Sequence, residues 1–477
     1  MDENLLGDSC TDDGRSLQRS KATLCLLPPG LGPSQGTAGR RACPKGARRY
    51  RNIYNPASRF CRIPSPAEGE TTMRPGRYGT RLSTLGTLLL ALASALPAQT
   101  PQAIPPTLFG MHTMDVRHWP TVPFGALGKG TGVRWPYIEQ TRGNFNWNNL
   151  DSWVNAAQSH SVSFFYSTNG VPPFAAADLS TCSPSYAGSK VLSCTSAVAN
   201  IQDWDDFVIA LATRYKGKLI YELWNEPNTN QYTGTVADMV LLTTHEYNII
   251  RSVDPGALIL APSGGASYLD KYFAAGGPTG VDVIPLHAYY SIPESVNAYI
   301  NQVYALMAKY GLSQKPLWNT EGSWATSSLS SDAQVASVGR YYLLLWSRGV
   351  VRFYWYAWDN QAWGTLWDSS NGARPAATAY QQVYGWMVGA AMSSPCSQAA
   401  DSTWTCGLTR PGGYQALAIW NPITTVTYTS PAQYTQIRDL LGNTVKITGP
   451  IKVGGQPMLL ETGPRPAAPT NLQSKVK

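Results

Sequence analysis

The sequence predicts a (β/α)8 barrel followed by a small β-sandwich, and three observations support this prediction. From about residue 105 onward, short β-rich runs alternate with helix-patterned stretches, which is typical of β/α units. Eight candidate strands precede residue 360, and eight is the number of strands in such a barrel. After Pro395 the pattern changes to short β-like runs separated by turn residues such as Gly412 and Gly413.

The predicted barrel covers residues 105–392, and its elements follow one another in a regular order. Candidate strands lie at 108–114, 131–135, 162–167, 219–224, 258–261, 283–288, 316–320 and 351–358. Predicted helices include 204–215, 237–253, 332–348 and 376–387. We expect the β-sandwich over residues 395–462 and a disordered tail over residues 463–477.

The first 98 residues differ in charge from the rest of the chain. They hold 14 of the 37 Lys and Arg residues but only 7 of the 29 Asp and Glu residues. The remaining chain therefore has a net charge of +1, although the whole sequence has +8. A nearly neutral body gives no electrostatic reason to expect binding to nucleic acid or to an anionic membrane.

Residues 73–98 are predicted to form a secretory signal peptide. Three arginines precede an apolar run at 82–92, and small residues near Ala95 and Ala98 provide cleavage sites. A membrane anchor is the alternative, but the run is shorter than the roughly 20 residues that span a bilayer. Residues 1–72 lack hydrophobic periodicity, so we expect a disordered or non-native extension before a true start at Met73.

The eight cysteines fall into two groups. Four of them lie in the N-terminal extension, and the other four form two close pairs. In an exported protein, an even number of cysteines with short spacings indicates disulfides. We therefore predict the bridges Cys182–Cys194 and Cys396–Cys406, with free buried thiols as the alternative.

Two of the predicted barrel strands end in a glutamate. Residues 219–228 read Leu-Ile-Tyr-Glu-Leu-Trp-Asn-Glu-Pro-Asn, and residues 316–324 read Pro-Leu-Trp-Asn-Thr-Glu-Gly-Ser-Trp. The C-terminal ends of barrel strands share one face, so Glu226 and Glu321 are expected to meet there. A facing pair of carboxyl groups is the apparatus of glycoside hydrolysis. We predict that Glu226 is the acid/base and Glu321 the nucleophile.

Neighbouring polar residues are candidates for supporting this chemistry, which requires one protonated and one ionised carboxyl group. Arg134, at the end of the predicted second strand, is the candidate cation that keeps Glu321 ionised. Asn225 is expected to form a hydrogen bond with the 2-hydroxyl of the sugar. The alternative for each glutamate is a helix cap or a surface salt bridge. Glu222 is interpreted as a structural polar group within the barrel.

These segments resemble the clan A glycoside hydrolases, and family 39 most closely. Residues 221–228 are similar to the acid/base motif of the clan, and residues 320–324 resemble its nucleophile strand. His287-Ala-Tyr289 is similar to a sixth-strand pattern whose members hydrogen-bond the catalytic carboxylates, and Arg134 matches a second-strand arginine. The resemblance implies a retaining mechanism with carboxyl groups about 5 Å apart. Another family of the clan stays an alternative.

Aromatic and histidine side chains are further candidates for sugar contacts. All 16 tryptophans follow residue 98, and several lie near predicted strand ends. Aromatic rings can stack on the apolar face of a pyranose, so Trp324 and Trp358 are predicted platforms, with a core position as the alternative. His112 is expected either to contact a sugar hydroxyl or to be a core histidine.

The motifs of metal, nucleotide and redox sites are absent from the sequence, including His-Glu-x-x-His and Cys-x-x-Cys. We therefore expect a secreted, monomeric, retaining β-glycoside hydrolase that acts on oligo- or polysaccharide without a metal or other cofactor. No nucleic acid partner is expected, and no membrane association after signal cleavage. The alternatives are a sugar-binding protein without turnover, a polysaccharide-export protein and a transglycosylase.

Overall fold

Eight parallel strands form the barrel in the structure, a computed structural model that describes residues 102–185 and 189–467. The sheet order is β6-β7-β8-β1-β2-β3-β4-β5, and a bridge from Leu260 to Val283 joins its two ends. The strands are β1 Phe109–Met111, β2 Ala126–Leu127, β3 Ser163–Ser167, β4 Ile220–Glu222, β5 Ile259–Leu260, β6 Ile284–His287, β7 Leu317–Gly322 and β8 Val350–Trp355.

Helices connect successive strands around the outside of the barrel. They are α1 Trp135–Ile138, α2 Asn148–Ser159, α3 Ile201–Arg214, α4 Val236–Val253, α5 Ala266–Ala274, α6 Val296–Lys309, α7 Ser331–Ser347 and α8 Pro375–Met387. Side chains cap several helix starts: Asn200 caps α3, and Thr235 forms a capping box with Asp238 at α4. These caps explain why the predicted helix starts lie within a few residues of the observed ones.

The second strand differs from its predicted position. Residues 131–135 were expected to form it, but β2 is Ala126–Leu127, which pairs with both β1 and β3. Val133 and Trp135 have strand-like side chains, but Pro136 favours the first turn of a helix and α1 begins at Trp135. The two residues of β2 lie between Gly125 and Gly128, so no apolar run marks this strand in the sequence.

The inside of the barrel is filled with side chains. One buried cluster contains residues from six of the strands, including Phe165, Ile220, Trp318 and Tyr354. A filled barrel has no pore, so a substrate can reach only the residues at its two ends.

The C-terminal region forms an antiparallel sandwich, as predicted. Its six-stranded sheet has the order β9-β10-β11-β16-β13-β14, and β12 pairs with β15 in a second sheet. Buried Ile419, Val453 and Leu460 pack between the two sheets. The strands are β9 Ala391–Gln398, β10 Trp404–Arg410, β11 Tyr414–Trp420, β12 Val426–Tyr428, β13 Gln436–Arg438, β14 Thr444–Lys446, β15 Ile451–Val453 and β16 Met458–Glu461.

The structure contains both predicted disulfides. Cys182–Cys194 closes a hairpin in the loop between β3 and α3, and Cys396–Cys406 joins β9 to β10. Across the described part of the chain, the helices are too short or too polar to cross a membrane. The predicted signal peptide at 73–98, the extension at 1–72 with its four cysteines, and residues 468–477 of the predicted tail lie outside the described residues.

Candidate active site

The two glutamates lie together at the C-terminal end of the barrel. Glu226 follows β4, Glu321 lies within β7, and His287 ends β6 between them. One carboxylate oxygen of each glutamate and one ring nitrogen of His287 lie within 4.8 Å of one another. The barrel therefore brings together the carboxyl pair that the sequence placed on two separate strands.

An unusual backbone conformation places Glu226 in this position. Glu226 has a φ of 46° and Trp224 a φ of 102°, both in a region that non-glycine residues rarely adopt. The amide of Glu226 donates to Ser263 Oγ at 3.2 Å, and the amide of Asn225 donates to the carbonyl of Thr168 at 3.1 Å. Neighbouring loops thus hold a strained turn, a feature that is concentrated at functional sites.

Glu321 is held as an anion. The hydroxyl of Tyr289 donates to its Oε2 at 2.7 Å, and the ammonium of Lys129 forms an ion pair with its Oε1. Its side chain is only 8% exposed, and burial alone would raise its pKa. The positive charges of Lys129 and His287 outweigh burial, so the pKa of Glu321 lies well below its usual range. An ionised carboxylate is the form that can act as a nucleophile.

Glu226 has a different environment. Its side chain is 22% exposed, His287 Nδ1 lies 2.7 Å from Oε1, and Gln231 Nε2 donates to Oε2 at 2.9 Å. Burial acts to lower the pKa of His287, but the charge of Glu321 and the hydrogen bond to Glu226 outweigh it and raise that pKa. Because the side chain of Glu226 is more exposed than that of Glu321, the carboxyl group of Glu226 is the one that a substrate oxygen can reach.

Two polar residues lie beneath the carboxylates and form part of the barrel core. His112 is fully buried and its Nε2 lies 2.8 Å from the carbonyl of Thr320, while Thr320 Oγ1 donates to Glu222 Oε1 at 2.8 Å. Burial lowers the pKa of His112 to about 4 and raises that of Glu222. This arrangement favours the core-histidine interpretation of His112, and it places Glu222 inside the barrel.

The predicted tryptophan platforms are corrected by the structure. Trp324 and Trp358 are each only 1% exposed, so their ring faces cannot stack on a sugar. Trp324 instead packs edge-on against Trp355, with ring centroids 4.7 Å apart. A tryptophan just after a strand can point into the core as easily as into the cleft, and strand-end position alone does not distinguish the two.

Other aromatic residues are accessible at the mouth of the site. Trp363 is half-buried, and its ring centroid lies 5.1 Å from that of Tyr289. A pocket of about 250 Å³ opens beside Glu226. Its lining residues are Glu226, Asn228, Ser263, Gly265, His287, Tyr289, Tyr290 and Tyr299. Tyrosine and asparagine side chains combine ring faces with hydrogen-bonding groups, as a sugar site requires.

Lys129 and Gln231 contact the two glutamates directly, although the sequence did not predict them. Lys129 follows β2, and its ammonium contacts both Glu321 and Asn225 Oδ1. Arg134 lies at the start of α1 rather than at a strand end, and its role toward Glu321 stays a prediction. Lys129 was missed because the second strand was predicted at 131–135, whereas the observed β2 ends at Leu127, two residues before Lys129.

The same carboxylates and His287 form a group whose ligand atoms could converge on a metal ion. However, Glu321 Oε1 already faces the Lys129 ammonium, and His287 Nδ1 already faces Glu226. A cation at this point would have to displace one positive group and disrupt one hydrogen bond. The donor set therefore suits proton transfer better than metal binding.

Comparison with known proteins agrees with this geometry. Residues 190–361, which include β4 to β8 and both glutamates, match the family model "Cellulase (glycosyl hydrolase family 5)". No curated protein matches the sequence. A family 39 glycoside hydrolase from Bacteroides cellulosilyticus WH2 has a similar structure, with a TM-score of 0.61 and 15% identity. The alignment covers 76% of this chain and 82% of that one.

Two further structures share the fold. The family 39 β-xylosidase from Caulobacter crescentus has a TM-score of 0.55 at 14% identity, over 77% of this chain and 98% of that one. CelM2, a bifunctional glucanase-xylanase from a metagenome library, has a TM-score of 0.52 at 12% identity, over 76% and 96%. Families 5 and 39 both belong to clan A. In its matched segment and in its fold, the chain resembles the clan A glycoside hydrolases.

Proposed function

We propose that the protein is a secreted, retaining β-glycoside hydrolase in which Glu226 is the acid/base and Glu321 the nucleophile. The observation that carries the proposal is the approach of the two carboxylates: one oxygen of Glu226 lies within 4.8 Å of one oxygen of Glu321. Retaining enzymes have carboxyl groups about 5 Å apart, whereas inverting enzymes need about 6.5–9.5 Å to admit a water molecule.

In the first step, a carboxylate oxygen of Glu321 forms a bond to the anomeric carbon. The bond from that carbon to the leaving oxygen breaks, its electron pair stays on the oxygen, and Glu226 supplies the proton. In the second step Glu226 removes a proton from water, and the resulting hydroxide displaces Glu321 from the anomeric carbon. Each glutamate returns to its original state, so the cycle needs no cofactor.

The different surroundings of the two carboxyl groups support this division of roles. Glu321 is more buried, and Lys129, Tyr289 and His287 all favour its anion. Glu226 borders the pocket and is accessible to a leaving group. The two disulfides and the predicted signal peptide support secretion, because disulfides persist in oxidising compartments.

The test is the stereochemistry of hydrolysis by protein that starts at residue 99. The similar enzymes named above include a xylosidase and a glucanase-xylanase, so β-linked xylans, β-glucans and their aryl glycosides form the first panel. NMR should show that the first sugar released keeps the β-configuration. First release of the α-anomer would refute the proposed mechanism.

Substitution of each glutamate tests its role separately. Glu321→Gln and Glu226→Gln should each lower kcat by orders of magnitude, because general acid catalysis alone contributes about 10²–10⁴-fold. Azide should restore turnover to Glu321→Gly with an α-glycosyl azide product and to Glu226→Gly with a β-product. Activity similar to the wild type in either Gln variant would exclude the assignment.

A further inference from the structure

A chain of polar side chains connects the two carboxylates independently of His287 and Tyr289. Lys129 contacts Glu321 Oε1 and Asn225 Oδ1. Asn225 Nδ2 donates to Gln231 Oε1 at 3.3 Å, and Gln231 Nε2 donates to Glu226 Oε2 at 2.9 Å. Every step from the nucleophile to the acid/base is thus a direct contact.

The direction of this chain is fixed by Lys129. An ammonium group has only donors, so the amide oxygen of Asn225 must face it and the Asn225 NH₂ must face Gln231. The side-chain oxygen of Gln231 then accepts a hydrogen bond from the Asn225 NH₂ group, so the NH₂ group of Gln231 points toward Glu226. Asn169 Nδ2 donates to the same Gln231 oxygen at 2.9 Å, so the orientation of Asn169 follows from that of Gln231. The usual ambiguity of amide groups is therefore removed.

Local contacts hold the Gln231 backbone in place as well. Its amide donates to Thr229 Oγ1 at 3.3 Å, and that hydroxyl donates to the carbonyl of Glu226 at 2.9 Å. Asn169 is only 5% exposed and comes from the loop after β3. The side chain of Gln231 is consequently oriented by two loops and not by its own rotamer preference alone.

This polarity directs an N–H donor at Glu226 Oε2, while the ring of His287 lies against Oε1. A donor at Oε2 stabilises the ionised form of the carboxyl group more than its protonated form. We infer that Gln231 is a positioning residue that orients the carboxyl group of Glu226 and stabilises the anion that forms when the proton passes to the leaving oxygen. The inference rests on the proposed function. Lys129, which forms an ion pair with the nucleophile, also orients the side chains of Asn225 and Gln231 that lead to the acid/base.

The test uses Gln231→Met, which keeps the length of the side chain and removes its donor, and Gln231→Glu, which keeps its shape. Substrates are aryl β-glycosides of the sugar that the wild type hydrolyses, with 2,4-dinitrophenol or 4-methoxyphenol as leaving group. For the 4-methoxyphenyl substrate, kcat/KM should fall about 10- to 100-fold, since hydrogen bonds to charged groups have this effect. For the dinitrophenyl substrate, which needs no proton, the fall should stay below about 3-fold.

The pH profile provides a second readout. A hydrogen bond to a carboxylate favours its charged form, so both variants should move the basic limb of kcat/KM to higher pH. The charged and titratable groups that face Glu226 are unchanged in the Met variant. They are His287, Glu321, Tyr289 and Tyr299, and Lys129 lies one step further away, against Glu321.

The control is Gln202→Met, a matched change on the surface of α3, where Gln202 contacts Asp206. Equal losses with both leaving groups, or an unmoved basic limb, would overturn the inference and indicate a merely structural role. Glu226→Gln is measured with the same substrates. If Glu226→Gln also loses the same activity with both leaving groups, the proposed function has failed. If Glu226→Gln shows the leaving-group dependence and the Gln231 variants do not, only the role of Gln231 has failed.

Discussion

Replacement of Lys129 by methionine should move the acid limb of the pH–rate profile to higher pH. The ammonium of Lys129 forms an ion pair with Oε1 of Glu321, a carboxylate whose side chain is only 8% exposed. Glu321 must be ionised to attack the anomeric carbon. Because opposite charges hold its pKa below the usual range, loss of one charge favours the protonated, inactive form at low pH.

The size of the shift follows from the charges that remain. Two unit charges about 4 Å apart interact by about 4 kcal/mol at an effective dielectric constant of about 20, which corresponds to about three pH units as an upper bound. The variant keeps the Tyr289 hydrogen bond and His287, whose Nδ1 lies 3.9 Å from Oε2. Water can also enter the space left by the ammonium. We therefore expect the acid limb to rise by about one to two pH units.

The assay is kcat/KM against pH, which reports the ionisation of groups in the free enzyme. Lys129→Arg keeps the charge and should leave the acid limb nearly unchanged. Lys218→Met is the matched control, because Lys218 is exposed and immediately precedes the β4 region at the opposite end of the barrel. If Lys129→Met has the acid limb of the wild type, the reasoning is refuted, and other groups hold Glu321 ionised.

Three further outcomes are expected. Trp363→Ala should raise KM about 3- to 10-fold with little change in kcat, because the half-buried ring is available to stack on substrate. Steady-state kinetics measures both constants. Replacement of Cys182 and Cys194 by serine should lower the free energy of unfolding in urea by about 3 kcal/mol, because the bridge restricts the unfolded chain across a sequence separation of 12 residues; an unchanged midpoint would contradict this. Arg340→Ala removes a hydrogen bond of 2.8 Å to the carbonyl of Gly455, so the midpoint should fall while kcat is retained.

Much of the fold was predictable because strand and helix patterns are long and repetitive. Seven of the eight predicted strands overlap observed ones, and the sandwich was recognised from its turns. The exception is β2, whose two residues lie between Gly125 and Gly128 with no apolar run around them, while a helix begins at Trp135, the last residue of the predicted strand. Arg134 was chosen for its place at the end of the predicted strand, so the sequence did not point to Lys129, which follows the observed β2.

The supporting groups of the site were less predictable for a different physical reason. Glu226, His287 and Tyr289 are attached to strand ends, so a motif of a few residues fixes their positions. Gln231 and Asn169 belong to loops, and their contact exists only because the loops after β3 and β4 meet above the barrel. A polar residue in a loop carries no signal of its partner. Its role becomes visible only when a donor-only group such as Lys129 determines the direction of every hydrogen bond between the two carboxylates.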